Sequence, residues 1–514
     1  MSVTPDFQTF SELARKNPGK LIPVTRSFLA DGITPVGAFR RMPPSDYAFL
    51  LESVERGERI GRYSFVGSAP EVIFRGHVLP QPGYTLERPG GASERHSGDP
   101  LLALEKYLAE NAAIPAGEGV PVPPFSGGGV GYLGYDVIRL VEPRLNTPPS
   151  KAGVSDLPDL LVPIYRTILA FDHVRNTVTV VHHARADASP KAAYDAALTA
   201  IDNVIKHLRA ASPEPLDEII APPAPATDDV KSNMTPDAYM RSVEKAKEYI
   251  AAGDIIQVVL SQRLSRETKA HPFEIYRSLR AINPSPYMFY LHFGKLHIVG
   301  SSPEVMVRVE NGLITVRPIA GTRPRGNTPD EDAALAKDLL ADPKERAEHV
   351  MLLDLGRNDV GRVADFASVK VTEQMIIEYY SHVMHIVSNV QGRMRKDLNA
   401  FKVFGSCFPA GTVSGAPKIR AMEIIDELEP DRRGAYAGAV GVVDFLGNLN
   451  TAIALRTFVI QEAQPGHFTA YLQAGAGIVA DSVPRAEYDE TMNKARGLLR
   501  ALSAAEARLN AASQ

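Results

Sequence analysis

A chain of 514 residues, 44% hydrophobic and 23% charged, has room for two to four domains and the composition of a folded protein, which excludes disorder, collagen and coiled coil as descriptions of the whole. Its 56 Lys and Arg against 60 Asp and Glu give a formal charge of -4 with no dense basic block, which argues against nucleic acid as a partner. The single cysteine, Cys407, excludes an internal disulfide, and without a signal-like apolar start or an apolar run of roughly 20 residues the expected setting is the cytoplasm, with no membrane contact.

In chain order, the Gly- and Pro-rich stretches 80–100 and 116–134 read as internal loops, and the runs 166–171 and 177–182 flank a turn at Asn176 as a hairpin. From Ser212 to Asp229, Pro213, Pro215, Pro222, Pro223 and Pro225 interrupt any helix, so 212–234 is expected to link a half spanning 1–211 to a second domain, 235–503, followed by a tail, 504–514. Thr235 before Pro236 is an N-cap with proline at the first helical position, and Tyr239, Val243, Ala246 and Ile250 keep helical spacing up to Gly253. A further hairpin is expected where 437–445 and 451–461 flank Gly447-Asn448. These signals predict an α+β protein, an α/β sandwich of mostly antiparallel sheets with helices outside.

The halves repeat one another. Val66-Gly67-Ser68-Ala69-Pro70-Glu71-Val72 matches Val299-Gly300-Ser301-Ser302-Pro303-Glu304-Val305; Val130-Gly131 then matches Val440-Gly441, and Arg166-Thr167 matches Arg456-Thr457. The order predicts a duplication in which two similar sheets face each other, with Glu71 and Glu304 at like positions.

Several constellations could carry chemistry. Glu345 and Glu348, and Glu487 and Glu490, are i, i+3 pairs, each on one helix face. Converging, they would suit Mg²⁺; apart, they are solvated faces with Arg346 and Lys494 nearby. Gly475-Ala476-Gly477 begins a G-x-G-x-x-A string, but Asp481 to Pro484 delays the helix a dinucleotide site needs, so the expectation is a glycine turn whose N–H groups approach a small anion. Gly411 to Lys418 fails the P-loop register and reads as a substrate-facing loop. Cys407 reads as buried and structural. His385, three residues after His382, reads as a hydrogen-bonded or general-base histidine, while Arg456 and Tyr436, on the hairpin strands, suit a carboxylate or a structural role.

Taken together, Pro318-Ile319-Ala320-Gly321-Thr322-Arg323, Ala347-Glu348-His349 with Asp354 to Asp359, Phe408 to Lys418, and the 475–490 segment resemble the chorismate-utilising enzymes, strongly over 235–500 and more loosely over the first 200 residues. Within them the sequence is similar to the large subunits that form anthranilate. Relatives making 4-amino-4-deoxychorismate carry a lysine where Ala320 stands, and isochorismate-forming relatives carry a lysine that activates water where Gln257 stands; both departures imply ammonia as nucleophile.

The resemblance implies the chorismate-utilising fold and the first step of tryptophan synthesis: amination of chorismate at ring carbon 2, then loss of pyruvate. It implies Mg²⁺ held through Glu348 and Glu490 with Glu345 and Glu487 supporting its waters. Gly321, Thr322, Gly475, Ala476 and Gly477 would seat the substrate, Tyr436 and Arg456 would grip the enolpyruvyl carboxylate, Glu304 would be the general acid and His385 the proton acceptor. Ser53, with Pro286, Tyr287 and Met288, resembles the feedback site for tryptophan. Because the lone cysteine lies in a chorismate-domain motif, ammonia is expected from a separate glutamine amidotransferase subunit. The alternatives are aminodeoxychorismate synthesis and a non-catalytic tryptophan sensor.

Overall fold

Strand Tyr287–Phe293 shows how the sequence makes layers. Side chains alternate across a strand, so Met288 and Tyr290 pack into a core under the helices while Phe289 and Leu291 pack into a second core shared with the opposite sheet. The computed structural model describes residues 3–53, 61–114, 120–145, 151, 153–154, 157–186, 189–210, 229–380 and 383–512. Among these, two twelve-stranded sheets pack face to face and helices cover both outer surfaces, as the predicted α/β sandwich requires.

Both sheets are shared by the two halves of the chain. In the first, Tyr47–Glu52 pairs antiparallel with Tyr287–Phe293; in the second, Gly128–Leu133 pairs with Ala439–Asp444. Outward from each junction the halves run through equivalent strands in the same chain order. Glu71 follows Tyr63–Ser68 of the first sheet and precedes Val72–His77 of the second, while Glu304 lies likewise between Leu296–Ser302 and Val305–Glu310. The expected duplication is therefore present in the topology.

The repeated glycine has a packing cause. Phe49 lies across from Gly67, and Phe289 across from Gly300; a Cβ on either glycine would sit 2.3 Å or 2.2 Å from the facing ring. The ring fills the space that the missing side chain leaves.

Four expectations change. The stretch 116–134 contains the fully buried strand Gly128–Leu133, and 80–100 forms the half-buried strand Gly83–Glu87 and the exposed strand Ser93–Ser97, so neither is only a loop. The later hairpin is shorter than expected: Ala439–Asp444 pairs with Leu449–Ile453, and the chain then crosses to the other sheet at Thr457–Gln464. Tyr436 and Arg456 consequently lie beside strands, at the crossings, where Arg456 adopts φ 47°. Of the expected tail 504–514, residues 504–512 continue the helix Pro484–Ala512, in which Ala504 and Ala505 are buried. Residues 212–228 of the expected linker lie outside the described residues, and Lys231–Ser232 already pairs with Gln257–Thr268.

Candidate active site

The site is built where the second half's strands and helices meet. Glu304 is buried at its sheet-to-sheet crossing, and its Oε1 accepts a 3.0 Å hydrogen bond from Thr412 Oγ1. Burial pushes its pKa up to about 8, against the opposing pull of Thr412 and the Ile319 N–H. A carboxyl in this state keeps its proton at neutral pH. Arg317, Pro318, Asp359, Gly411 and Thr412 line the cleft beside it.

From Ile319 the strand Ile319–Pro324 continues to Gly321 and Thr322, and both meet His385 on strand Val383–Arg393. His385 Nδ1 donates to the Gly321 carbonyl at 3.0 Å and lies 3.1 Å from Thr322 Oγ1. With Nδ1 carrying the hydrogen, Nε2 of the neutral ring is the nitrogen able to accept a proton. Burial lowers the His385 pKa and the nearby Arg456 charge lowers it further, so the ring is neutral at physiological pH. His382, its expected companion, lies outside the described residues. Gly321 has φ 74°, and a Cβ there would come 3.1 Å from Glu345 Oε2 and 3.2 Å from Ile386 and Leu339. Glycine is required by both the backbone and the acid behind it.

Helix Pro343–Gly361 starts with Asp342 as N-cap and Pro343 at its first position, and carries Glu345 and Glu348; helix Pro484–Ala512 carries Glu487 and Glu490. The four acids share one electrostatic neighbourhood. Burial raises the Glu348 pKa, and the charges of Glu345 and Glu490 raise it further; burial likewise raises Glu487, with Glu490 contributing. Cations already engage two of them: Arg323 contacts Glu345 at 3.1 Å, and Lys494 contacts Glu490 at 2.7 Å while donating to the Gly475 carbonyl. Among the described residues no group of three or more His, Cys, Asp or Glu is arranged to hold a metal ion, so the carboxylates do not form a closed cage. Their chemistry still fits Mg²⁺, which takes hard oxygen donors, needs only one or two carboxylates and leaves its other positions to water and an anionic substrate.

Gly475, Ala476 and Gly477 are not a turn. They lie inside strand His467–Ile478, paired with Ser261, Leu260 and Val259, so the sheet ladder occupies this backbone. Their small size serves close approach instead: a Cβ on Gly475 would sit 2.8 Å from Tyr436 Oη, and one on Gly477 2.5 Å from Gln257 Nε2. Tyr436 is buried, which pushes its pKa up to about 12 and keeps it a neutral donor. Gln257 reaches Glu348 at 3.4 Å, and its buried carbonyl oxygen has no hydrogen-bond partner among the described residues. Arg323 and Thr412 lie in the strings that carry the resemblance, Gln257 is marked by the lysine it replaces and Lys494 by its closeness to the acid pair. The contacts of Gln257 with Glu348, of Thr412 with Glu304 and of Lys494 with the Gly475 carbonyl, however, join distant segments that spacing does not reveal.

Cys407 is buried, and burial pushes its thiol pKa up, consistent with a structural role. Ser53, Pro286, Tyr287 and Met288 form a separate place at the junction of the halves. Met288 pairs with Glu52, next to Ser53, whose buried hydroxyl has no hydrogen-bond partner among the described residues. Burial raises the Tyr287 pKa, opposed by the charges of Arg308 and Arg317; Arg317 also flanks the Glu304 cleft.

The family described as chorismate binding enzyme matches residues 81–500. Anthranilate synthase component 1 of a Synechocystis species is 48% identical over 98% of this chain and 99% of that protein, and the one from Pseudomonas aeruginosa is 46% identical over 94% and 96%. The crystal structure of anthranilate synthase component I from Streptococcus pneumoniae, at 36% identity, superposes with a TM-score of 0.74 over 92% of this chain and 99% of that one. MenF, the menaquinone-specific isochorismate synthase from Escherichia coli, shares the fold at 18% identity, with a TM-score of 0.68 over 96% and 99%. Among the described residues, no helix is long and apolar enough to cross a membrane.

Proposed function

Since this chain belongs to the family of chorismate-binding enzymes, we propose that it is the large subunit of an anthranilate synthase, which aminates chorismate at ring carbon 2 and eliminates pyruvate. The observation that carries the reading is Glu304, a buried carboxyl that holds its proton to about pH 8 in a cleft joined by one strand to His385. Hydroxide is a poor leaving group until protonated, and a neutral carboxylic acid at physiological pH supplies that proton to the carbon-4 hydroxyl as ammonia adds at carbon 2. His385, neutral and with Nε2 available, then takes the ring proton as pyruvate leaves and the ring becomes aromatic. Tyr436 and Arg456 hold the enolpyruvyl carboxylate by hydrogen bond and charge.

Glu348 and Glu490, with Glu345 and Glu487 behind them, would hold Mg²⁺; when bound, it supplies positive charge against the ring carboxylate of the substrate. Ammonia comes from a glutamine amidotransferase subunit, since the only cysteine of this chain is buried and its thiol held protonated. Tryptophan binding at Ser53, Pro286, Tyr287 and Met288 inhibits by favouring a less active arrangement of the adjoining Glu304 cleft.

The test is turnover of the purified chain with chorismate, Mg²⁺ and ammonium, read as anthranilate fluorescence, with and without tryptophan. Chromatography separates anthranilate from aminodeoxychorismate; the latter as sole product would replace this reading with the runner-up. Absence of any turnover would leave a tryptophan-binding sensor.

A further inference from the structure

One buried guanidinium touches three of the elements that carry the site. Arg433, 1% exposed at its side chain, donates from Nη1 to the Val413 carbonyl at 2.7 Å and from Nη2 to the Val259 carbonyl at 2.7 Å. Its Nε and Nη2 also grip Glu429 at 2.9 and 2.6 Å, and the guanidinium lies over the rings of Tyr135 at 4.8 Å and Tyr436 at 5.5 Å. Val413 follows Thr412, which donates to Glu304; Val259 lies two residues after Gln257, which reaches Glu348; Tyr436 abuts Gly475. Glu429, 5% exposed, in turn accepts from the Ser261 N–H at 2.8 Å and the Ser261 hydroxyl at 2.7 Å.

We propose that Arg433, held by Glu429, is a positioning residue of the active site, setting the Thr412 turn, the Gln257 strand end and the Tyr436 ring against one another. The proposal rests on the reading of Glu304 as the general acid. A fixed fork of five N–H donors spans two carbonyls and a carboxylate at once, whereas an ammonium on a flexible stem cannot hold all three in one plane. Two buried carbonyls lose their partners if the fork is removed, so the turn and the strand end drift together.

The experiment compares Arg433→Lys and the milder Ser261→Ala with the unaltered chain, measuring turnover and chorismate KM across pH with ammonium as nucleophile. A control is Arg62→Lys, whose guanidinium forms a bidentate pair with Asp172 in the first half of the chain, at 2.8 Å, away from all three elements. For Arg433→Lys the expected result is turnover slowed by about 100-fold, the scale of a small misplacement of reacting groups, with chorismate KM raised by a smaller factor as the Tyr436 ring shifts. Its alkaline limb should also move to lower pH by about a unit or more, because water reaching Glu304 relieves the desolvation that dominates its shift, and this outweighs the opposite effect of a lost Thr412 hydrogen bond. Ser261→Ala moves the limb in the same direction by a smaller amount, and Arg62→Lys lowers the melting temperature while leaving the limb in place. A double-variant cycle with Thr412→Val should be non-additive, because the two changes act on one turn. The proposal is overturned if the limb stays fixed in Ser261→Ala and in any folded Arg433→Lys, or if Arg62→Lys displaces it equally. If the unaltered chain lacks an alkaline limb that Glu304→Gln abolishes, the general-acid reading has failed instead.

Discussion

Thr412 Oγ1 stands 3.0 Å from Glu304 Oε1, so a glycine-rich turn from one part of the chain supplies a side-chain hydrogen bond to a buried acid from another. That bond favours the ionised form, yet burial outweighs it and the pKa still stands at about 8. Thr412→Val should therefore raise the pKa of Glu304 further, moving the alkaline limb of the rate profile upward while slowing turnover through loss of orientation. A profile unmoved by the substitution would show that this hydroxyl does not bear on the acid.

Glu304→Gln should slow turnover on the order of 10²- to 10⁴-fold, the usual contribution of a general acid, with chorismate KM much less affected. Stability gives an independent reading. The unfolded chain releases this proton near 4.5 and the folded chain near 8, so between those values the unfolded state binds fewer protons and stability falls as pH rises, by up to about 1.4 kcal/mol per pH unit. Below that window the contribution is fully present, and above it the loss is complete. Urea unfolding at pH 5.5 and pH 8 should show this slope in the unaltered chain and a flatter one in Glu304→Gln.

Glu348→Gln and Glu490→Gln should each raise the Mg²⁺ concentration for half-maximal activity by about tenfold or more, a scale typical of losing one well-placed partner at a metal. Calorimetric titration of Mg²⁺ with a substrate analogue present reads the same loss without turnover. Equal Mg²⁺ dependence in all three proteins would remove the acid pairs from any metal role.

The chain contains no tryptophan, so fluorescence of added tryptophan reports its own binding without background from the protein. Ser53→Phe fills the space beside a hydroxyl that has no partner among the described residues, and should abolish tryptophan binding and inhibition while retaining the ammonium-dependent rate. Inhibition persisting unchanged would place the regulatory ligand elsewhere.

Gly300→Ala should destabilise the chain by about 1–3 kcal/mol, because its methyl would meet the Phe289 ring in a closely packed layer. Thermal unfolding of this variant and of Gly67→Ala should show losses of similar size, as the repeated Phe–Gly pairing requires.

Much of this architecture is legible in the sequence because repetition survives in short strings. The Gly67 and Gly300 motifs, with Arg166 and Arg456 behind them, reveal the duplication, and helix spacing places each acid pair on its proper face. Periodicity cannot separate the strand Gly128–Leu133 from its Gly-rich surroundings, since a strand buried on both faces lacks alternation. Nor can it show that Gly475 and Gly477 sit within a ladder, because glycine signals a turn and a close approach equally well. Arg433 is hidden for a different reason: its partners include backbone carbonyls, which leave no mark on the sequence.

Each sheet is completed only by strands from both ends of the chain, at Tyr47–Glu52 with Tyr287–Phe293 and at Gly128–Leu133 with Ala439–Asp444. Separating the two parts would strip hydrogen bonds from two adjoining edges and lay bare the aromatic layer around Phe49 and Phe289. A protease cut within 211–228 should thus yield two pieces that migrate as one on gel filtration, and neither piece should persist as an independent soluble body.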